Sequence, residues 1–180
     1  MMKQNLNLAC FKMNTEIINR VAKSSLITID LSDYYPKGKR AVIDIKNWLK
    51  EGLVLIEKDF RQSLNNYNWN QFKGHHIAIF CSTDAIVPIW AYMLVQKNLN
   101  GIAKSITYGS TETMESVLII PIIESLDLEY CKDKPVVIKG CSEKNIPRNA
   151  YIKLIEKLQP IAKSIMFGEA CSSVPLFKKK

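Results

Sequence analysis

Three of the five cysteines in this chain follow apolar, strand-like runs, and each of the three is followed by serine. Cys81 lies in HIAIFCS, Cys141 in VVIKGCS and Cys171 in SIMFGEACSS. Thiolates are preferred protein ligands of zinc and of iron–sulfur clusters. In a parallel sheet the carboxyl ends of the strands meet at one edge, and neighbouring strands lie about 4.8 Å apart. The pattern therefore predicts that Cys81, Cys141 and Cys171 hold zinc or an iron–sulfur cluster at that edge.

Other polar residues extend the predicted site. Asp84, Glu143 and Glu169 are close in sequence to the three cysteines and are candidates for a fourth ligand or a base. Three thiolates leave one coordination position open, which suits a catalytic or transfer role better than a closed structural site. Separately, Ser110 and Thr111 open a predicted helix, and a helix N-terminus favours anions. These two residues are the predicted anion-binding position.

Two other interpretations of the cysteines remain open. A thiol whose pKa is lowered near a helix N-terminus is a nucleophile, so Cys81 or Cys141 is a candidate for a thiol enzyme in sulfur transfer that uses no metal. Cysteine is also among the most buried residue types, and the chain contains no C-x-x-C motif. In that case the cysteines only fill a core, and the protein is a non-catalytic interaction protein.

Strand-like and helix-like segments alternate after Lys73. The strand-like segments are His75–Phe80, Ser105–Tyr108, Pro135–Lys139 and Ser164–Phe167. The helix-like segments run from about Asp84 to Asn98, from about Thr111 to Leu126, and from Pro147 to about Gln159. This order is typical of βαβ units. We therefore expect an α/β fold, with a four-stranded, mostly parallel, Rossmann- or flavodoxin-like sheet and helices on both faces. If the strand order is 2-1-3-4, the three cysteine-bearing strands are adjacent.

The residues before this core predict a smaller α+β segment. Residues 1–12 are expected to be a disordered leader, and residues 13–180 a single domain made of an α+β segment at 13–72 and the βαβ core at 73–180. The runs Leu26–Leu31 and Arg40–Ile45 both alternate like strands, with a Pro-Lys-Gly turn between them. This spacing predicts a β-hairpin.

Composition excludes several classes of protein. No apolar run reaches the roughly 18 residues that cross a membrane, and no secretory signal is present, so we expect a cytoplasmic protein. The net charge of +8 permits nucleic-acid binding, but the lysines are dispersed and no RNA-binding or zinc-finger signature occurs, which argues against it. The segments Ala85–Val95 and Val117–Ile123 are apolar nearly all round. Such helices must be buried on several sides. We therefore expect either the N-terminal segment or a homodimer partner to pack against them.

Five blocks of the sequence resemble a known family. They are EIINRVAKSSLITIDLSDYYPKGKR, GLVLIEKDFRQSL, CSTDAIVPIWAYMLV, VVIKGCS and KLQPIAKSIMFGEACSSVPLFK. Together they are similar to the uncharacterised bacterial domain-of-unknown-function family 2480 over about Glu16 to Lys179. The resemblance includes Cys81, Cys141 and Cys171 with their following serines. It implies iron–sulfur assembly proteins as partners, and a role for the cysteines in handling iron, zinc or sulfur.

Overall fold

The computed structural model describes residues 25–140, 144–169 and 172–180. The strands are β1 Ile27–Ile29, β2 Arg40–Asp44, β3 His76–Phe80, β4 Ser105–Tyr108, β5 Pro135–Ile138, β6 Ser164–Glu169 and β7 Ser172–Lys178. The helices are α1 Glu57–Asn66, α2 Ile89–Leu99, α3 Thr111–Ser125 and α4 Arg148–Leu158. Short 3₁₀ turns lie at Leu31–Tyr34, Ile45–Trp48, Trp69–Phe72 and Glu129–Cys131.

The described strands form two separate sheets. Sheet A has the order β1-β5-β6-β7, in which β7 is antiparallel to β6 and the other neighbours are parallel. Sheet B has the order β2-β3-β4 and is wholly parallel. The prediction of an α/β protein with a four-stranded, mostly parallel sheet is therefore confirmed. The four predicted core strands do not share one sheet, however, so a flavodoxin-like arrangement of them is not seen in the described part of the chain.

The predicted hairpin is wrong. Ile29 of β1 pairs with Ile138, and Asp44 at the end of β2 pairs with Phe80, so the two strands belong to different sheets. The chain between them turns at Leu31–Tyr34 and crosses from sheet A to sheet B. Both strands gain partners that are far away in the sequence, and the local alternation that predicted them contains no information about those partners.

Two apolar cores stabilise the two sheets. Sheet A packs against α4 and the second half of α3, where Ile119, Ile123 and Leu154 are fully buried. Sheet B packs against α1 and α2, with Phe60 and Val95 fully buried. Every residue of β3 from His76 to Ile79 is buried, as expected for the central strand of a parallel sheet.

Helix α3 lies between the two halves of the molecule. It contacts β3 and β4 of sheet B as well as α4, and Met114, Ile119 and Ile123 are fully buried. A helix that is covered on two sides needs apolar residues on both, which explains most of the apolar run Val117–Ile123, although Val117 itself is 53% exposed. The segment Ala85–Val95 has a different explanation, because part of it remains exposed, as described below.

Candidate functional site

The strands that precede the three cysteines do not lie side by side. Cys81 follows β3 at the centre of sheet B, whereas β5 and β6, which precede the other two cysteines, are neighbours in sheet A. Cys141, Cys171 and Glu143 themselves lie outside the described residues. The shared site required β3 and β5 to be adjacent strands about 4.8 Å apart. That geometric reason for joining Cys81 to the other two cysteines no longer holds.

The predicted function as a three-cysteine metal protein is corrected accordingly. Among residues 25–140, 144–169 and 172–180, no group of three or more His, Cys, Asp or Glu side chains could hold a metal ion. Asp84 is not at a helix N-terminus either, because α2 begins only at Ile89, with Pro88 as its cap residue. For the part of the chain that the structure describes, the prediction of a zinc or iron–sulfur centre is wrong.

The two cysteines in the described part of the chain, Cys81 and Cys131, each pack at or in an apolar core. The Cys81 thiol is half-buried at the rim of the sheet B core, and its Sγ lies 3.3 Å from the Thr83 hydroxyl. Thr83 in turn donates to the carbonyl of Gly52 at 2.8 Å. Cys131 is fully buried in the sheet A core, and burial raises the pKa of its thiol. A raised pKa lowers the thiolate fraction, and the fully buried position of Cys131 makes it a residue of the core.

Gly140, which precedes Cys141, has a packing role. A Cβ atom built on Gly140 would lie 2.9 Å from Cζ of Phe167 on the neighbouring strand β6. A contact of that length is too short, so a side chain at this position would push the aromatic ring away from the core. Gly140, two residues beyond β5, thus allows the close approach of the Phe167 ring, whose end would have to move to admit a side chain.

An ion pair joins the carboxyl ends of β1 and β5. Lys139 Nζ lies 2.9 Å from Asp30 Oδ2, and Asp30 Oδ1 accepts hydrogen bonds from the backbone and side chain of Ser32 at 2.9 and 2.6 Å. Burial alone would raise the pKa of Asp30, but the bonds from Ser32 and Lys139 outweigh it and the pKa is lowered. The pKa of Lys139 is raised by Asp30 and further by Glu169 and Asp33. Glu169 is therefore part of a charged group at this edge.

The lowered pKa of Asp30 predicts a loss of stability in acid. A depressed carboxyl pKa contributes stability above the unfolded-state value of about 3.9, and that contribution disappears as the pH falls through the folded value. We expect Asp30→Asn to lower the urea midpoint at neutral pH and to reduce the further drop below about pH 4. The exposed Asp59→Asn variant is the control. An acid-induced drop as large in Asp30→Asn as in the wild type would contradict this assignment.

The predicted anion position at Ser110 and Thr111 contains an ordinary helix cap. Ser110 is the N-cap of α3, and its hydroxyl accepts a hydrogen bond from the backbone N–H of Thr113 at 3.2 Å. This bond satisfies one of the free N–H groups that would attract an anion. Binding of an anion here stays a prediction.

A buried ion pair connects sheet B to α3. Arg40 on β2 donates from Nε and Nη2 to the two carboxylate oxygens of Glu115, at 2.8 and 3.0 Å. The Glu115 side chain is 4% exposed and that of Arg40 is 19% exposed. The guanidinium lies 4.5 Å from the centre of the Tyr35 ring and also donates to the carbonyl of Gly38. Burial and the neighbouring Glu115 raise the pKa of Tyr35, whose hydroxyl bonds to that carboxylate.

Sequence reasoning missed these residues. Glu115 lies within TETMESVLII, the apolar run of α3, and Arg40 is 75 positions away in the chain. One signal could have identified Glu115, because an acidic residue among apolar neighbours on a helix is unusual. Its partner could not be read from any local pattern, because the pair forms only when β2 and α3 come together.

Five large apolar side chains are exposed around the start of α2. Leu53, Val54, Ile86, Ile89 and Met93 retain 60%, 57%, 93%, 69% and 64% of their accessible surface, respectively. We call this set the α2 surface. A groove of about 620 Å³ passes through it and is lined in part by Leu53, Val54 and Ile86. Contiguous exposed apolar patches larger than a few hundred Å² are rare on monomeric proteins and usually mark interaction sites.

These features define a mixed α/β protein with two mainly parallel sheets, a buried ion pair between sheet B and α3, and an exposed apolar helix face. The chain belongs to the family described as protein of unknown function DUF2480, whose model matches residues 15–179. The family resemblance is thereby confirmed. Comparison with curated proteins and with solved structures gives no match. None of the helices in the described part of the chain has the length and apolar character needed to cross a membrane.

Proposed function

We propose that the protein acts as a protein-binding module and that its α2 surface binds the same surface of a second copy. The observation that supports this proposal is the cluster of five large apolar side chains that each keep more than half of their surface exposed. Burying such a side chain contributes about 1.5–3 kcal/mol when burial is complete. Five from each copy are enough to offset the association cost of about 4–15 kcal/mol.

The arrangement of residues on α2 suits an antiparallel pair. Ile89, Met93 and Lys97 follow each other at intervals of four positions, so they lie along one face of the helix. Ile86 is exposed in the segment that precedes the helix. A two-fold axis near Met93 would bring Ile89 of one copy against the corresponding stripe of the other. In this orientation the helix dipoles of the two copies are also opposed, which is favourable.

The charges at the two ends of the α2 surface are complementary. Asp84 lines the groove at the N-terminal end of the helix, where Glu57 is already paired with Arg61, and Lys97 is exposed in the last turn. An antiparallel pair brings Asp84 of one copy to Lys97 of the other, and the two-fold axis repeats this contact. Charge complementarity of this kind mainly determines the orientation and specificity of an interface. It favours a second copy of this chain over a partner of unrelated charge.

Sedimentation velocity of the full chain over a range of concentrations tests the proposal. We expect a reversible dimer, and we expect Ile86→Asp and Met93→Asp each to weaken it by about 30-fold or more, since losses at interface hot spots exceed about 2 kcal/mol. Ile86 is 93% exposed, so its replacement leaves the fold intact. The matched control is Ile152→Asp on α4, where the side chain is 70% exposed but lies outside the α2 surface.

A charge-reversal pair tests the antiparallel orientation. Lys97→Glu should weaken the dimer, and adding Asp84→Lys should restore it, because the two ends exchange signs together. A wild-type chain that stays monomeric at all concentrations would overturn the proposal. So would a dimer that Ile152→Asp dissociates and Ile86→Asp does not. The implied partnership with iron–sulfur assembly proteins stays a prediction that this surface does not specify.

A further inference from the structure

A two-part cleft runs between the first half of α3 and the start of α4. Its inner recess has a volume of about 240 Å³ and is lined by Glu112, Glu115 and the segment from Asn145 to Arg148. Its outer recess has a volume of about 550 Å³. Glu112 lines both, so the two recesses adjoin. The outer recess alone is within the range of about 300–1,000 Å³ that is typical of small-molecule sites.

Two opposite charges in the inner recess form no ion pair with the described residues. Glu112 and Arg148 both line this recess, yet neither forms an ion pair with any residue that the structure describes. Glu115 is different, because Arg40 and the Tyr35 hydroxyl already bind its carboxylate. The inner recess therefore presents one available carboxylate and one available guanidinium to a ligand.

The outer recess adds an apolar wall. Val117, Ile120 and Pro121 of α3 line it, together with Ser116 and Asn149, which hydrogen-bond to each other at 3.4 Å. Val117 keeps 53% of its surface exposed, so the apolar wall is open to a ligand. The cleft thus joins a recess with both signs of charge to a groove that favours an apolar group.

We infer that the cleft binds a small zwitterion with an apolar side chain, of the class of the apolar α-amino acids. The ammonium group would bind Glu112, and the carboxylate would accept two hydrogen bonds from Arg148, whose planar guanidinium matches carboxylate geometry. The side chain would lie along Val117, Ile120 and Pro121. A simple amine or a simple carboxylic acid would satisfy only one of the two charges and leave the other unpaired.

Isothermal titration calorimetry of the full chain with L-leucine tests this inference, with 3-methylbutylamine and 4-methylpentanoate as probes that each lack one charge. We expect leucine to bind, and each single-charge probe to bind about tenfold or more weakly, as expected when a charge-assisted hydrogen bond is lost. Glu112→Gln and Arg148→Gln should each reduce leucine affinity by about tenfold or more. Glu129→Gln and Arg61→Gln are matched controls at exposed positions outside the cleft.

The thermal midpoint of every variant shows whether the fold is retained. No heat of binding with leucine at millimolar concentrations would overturn the inference. Leucine binding that survives both Glu112→Gln and Arg148→Gln would overturn it too, because the ligand would then lie elsewhere. The inference is independent of the dimer, since Glu112 and Arg148 are not part of the α2 surface.

Discussion

Replacing Glu115 with alanine is expected to lower the free energy of unfolding by about 3–5 kcal/mol, the usual cost of removing one partner of a buried ion pair. The physical reason is that the Arg40 guanidinium, whose side chain is only 19% exposed, would lose both of its carboxylate hydrogen bonds. An unpaired cation would then remain in a poorly solvated position between β2 and α3. Urea unfolding, followed by tryptophan fluorescence, measures the change.

A double replacement distinguishes the contribution of the two charges from that of the volume their side chains occupy. Arg40→Met combined with Glu115→Leu removes both charges and keeps apolar volume, and we expect it to recover most of the stability that Glu115→Ala loses. Glu57→Ala is the control, because Glu57 forms an exposed pair with Arg61 on a single helix, and such pairs contribute only about 0.3–0.5 kcal/mol. A loss in Glu115→Ala no larger than in this control would show that the buried pair does not hold α3 to sheet B.

Replacing Lys157 with methionine is expected to lower the free energy of unfolding by about 2–3 kcal/mol, in the range of hydrogen bonds made by a charged group. Lys157 on α4 donates from Nζ to the carbonyls of Ile123, Glu124 and Leu126, at 3.0, 2.6 and 2.8 Å. These carbonyls lie at the C-terminus of α3, where intrahelical partners are lacking and the helix dipole attracts a cation. One ammonium group therefore caps α3 and joins it to α4.

Lys153 provides the matched control for this prediction. It lies one turn earlier on α4 and pairs with Glu124 and Glu156, whose side chains are 52% and 68% exposed. Lys153→Met should therefore cost less than about 1 kcal/mol, as exposed pairs usually do. Both variants keep an unbranched side chain of similar length, so helix propensity does not differ between them. Equal losses in the two variants would contradict the capping role of Lys157.

The candidate sites were only partly predictable from the sequence. Cysteine followed by serine drew attention to the ends of β3, β5 and β6, but those ends belong to two sheets, and no metal-binding group is found among the described residues. Glu112 and Arg148, which form no ion pair within the described part of the chain, are 36 positions apart and have no shared motif. Their common position in a cleft depends on how α3 and α4 pack, which local patterns do not encode.

The exposed α2 surface was also not predictable from the sequence. The apolar character of Ala85–Val95 and of Val117–Ile123 is similar in the sequence, and both predicted a covered helix. The structure covers most of α3 with sheet B and α4, apart from Val117 and Pro121, whereas it leaves Ile89 and Met93 of α2 exposed. An apolar sequence thus predicts that a helix face is buried. Only the packing shows which apolar helix face remains exposed in the described part of the chain.

Local chemistry by itself determined several elements of this protein. The strand Ser105–Tyr108 has the predicted bounds, Pro135–Ile138 ends one residue before the predicted Lys139, and the helix begins at Thr111 as predicted, because glycine and capping serine act within a few residues. The tertiary structure alone decided which strands pair, which sheet each joins, and that β7, with Pro175 and two serines, is an edge strand. The reason is physical: strand partners such as Ile29 and Ile138 meet across more than a hundred residues, and their pairing depends on which apolar faces can be buried together.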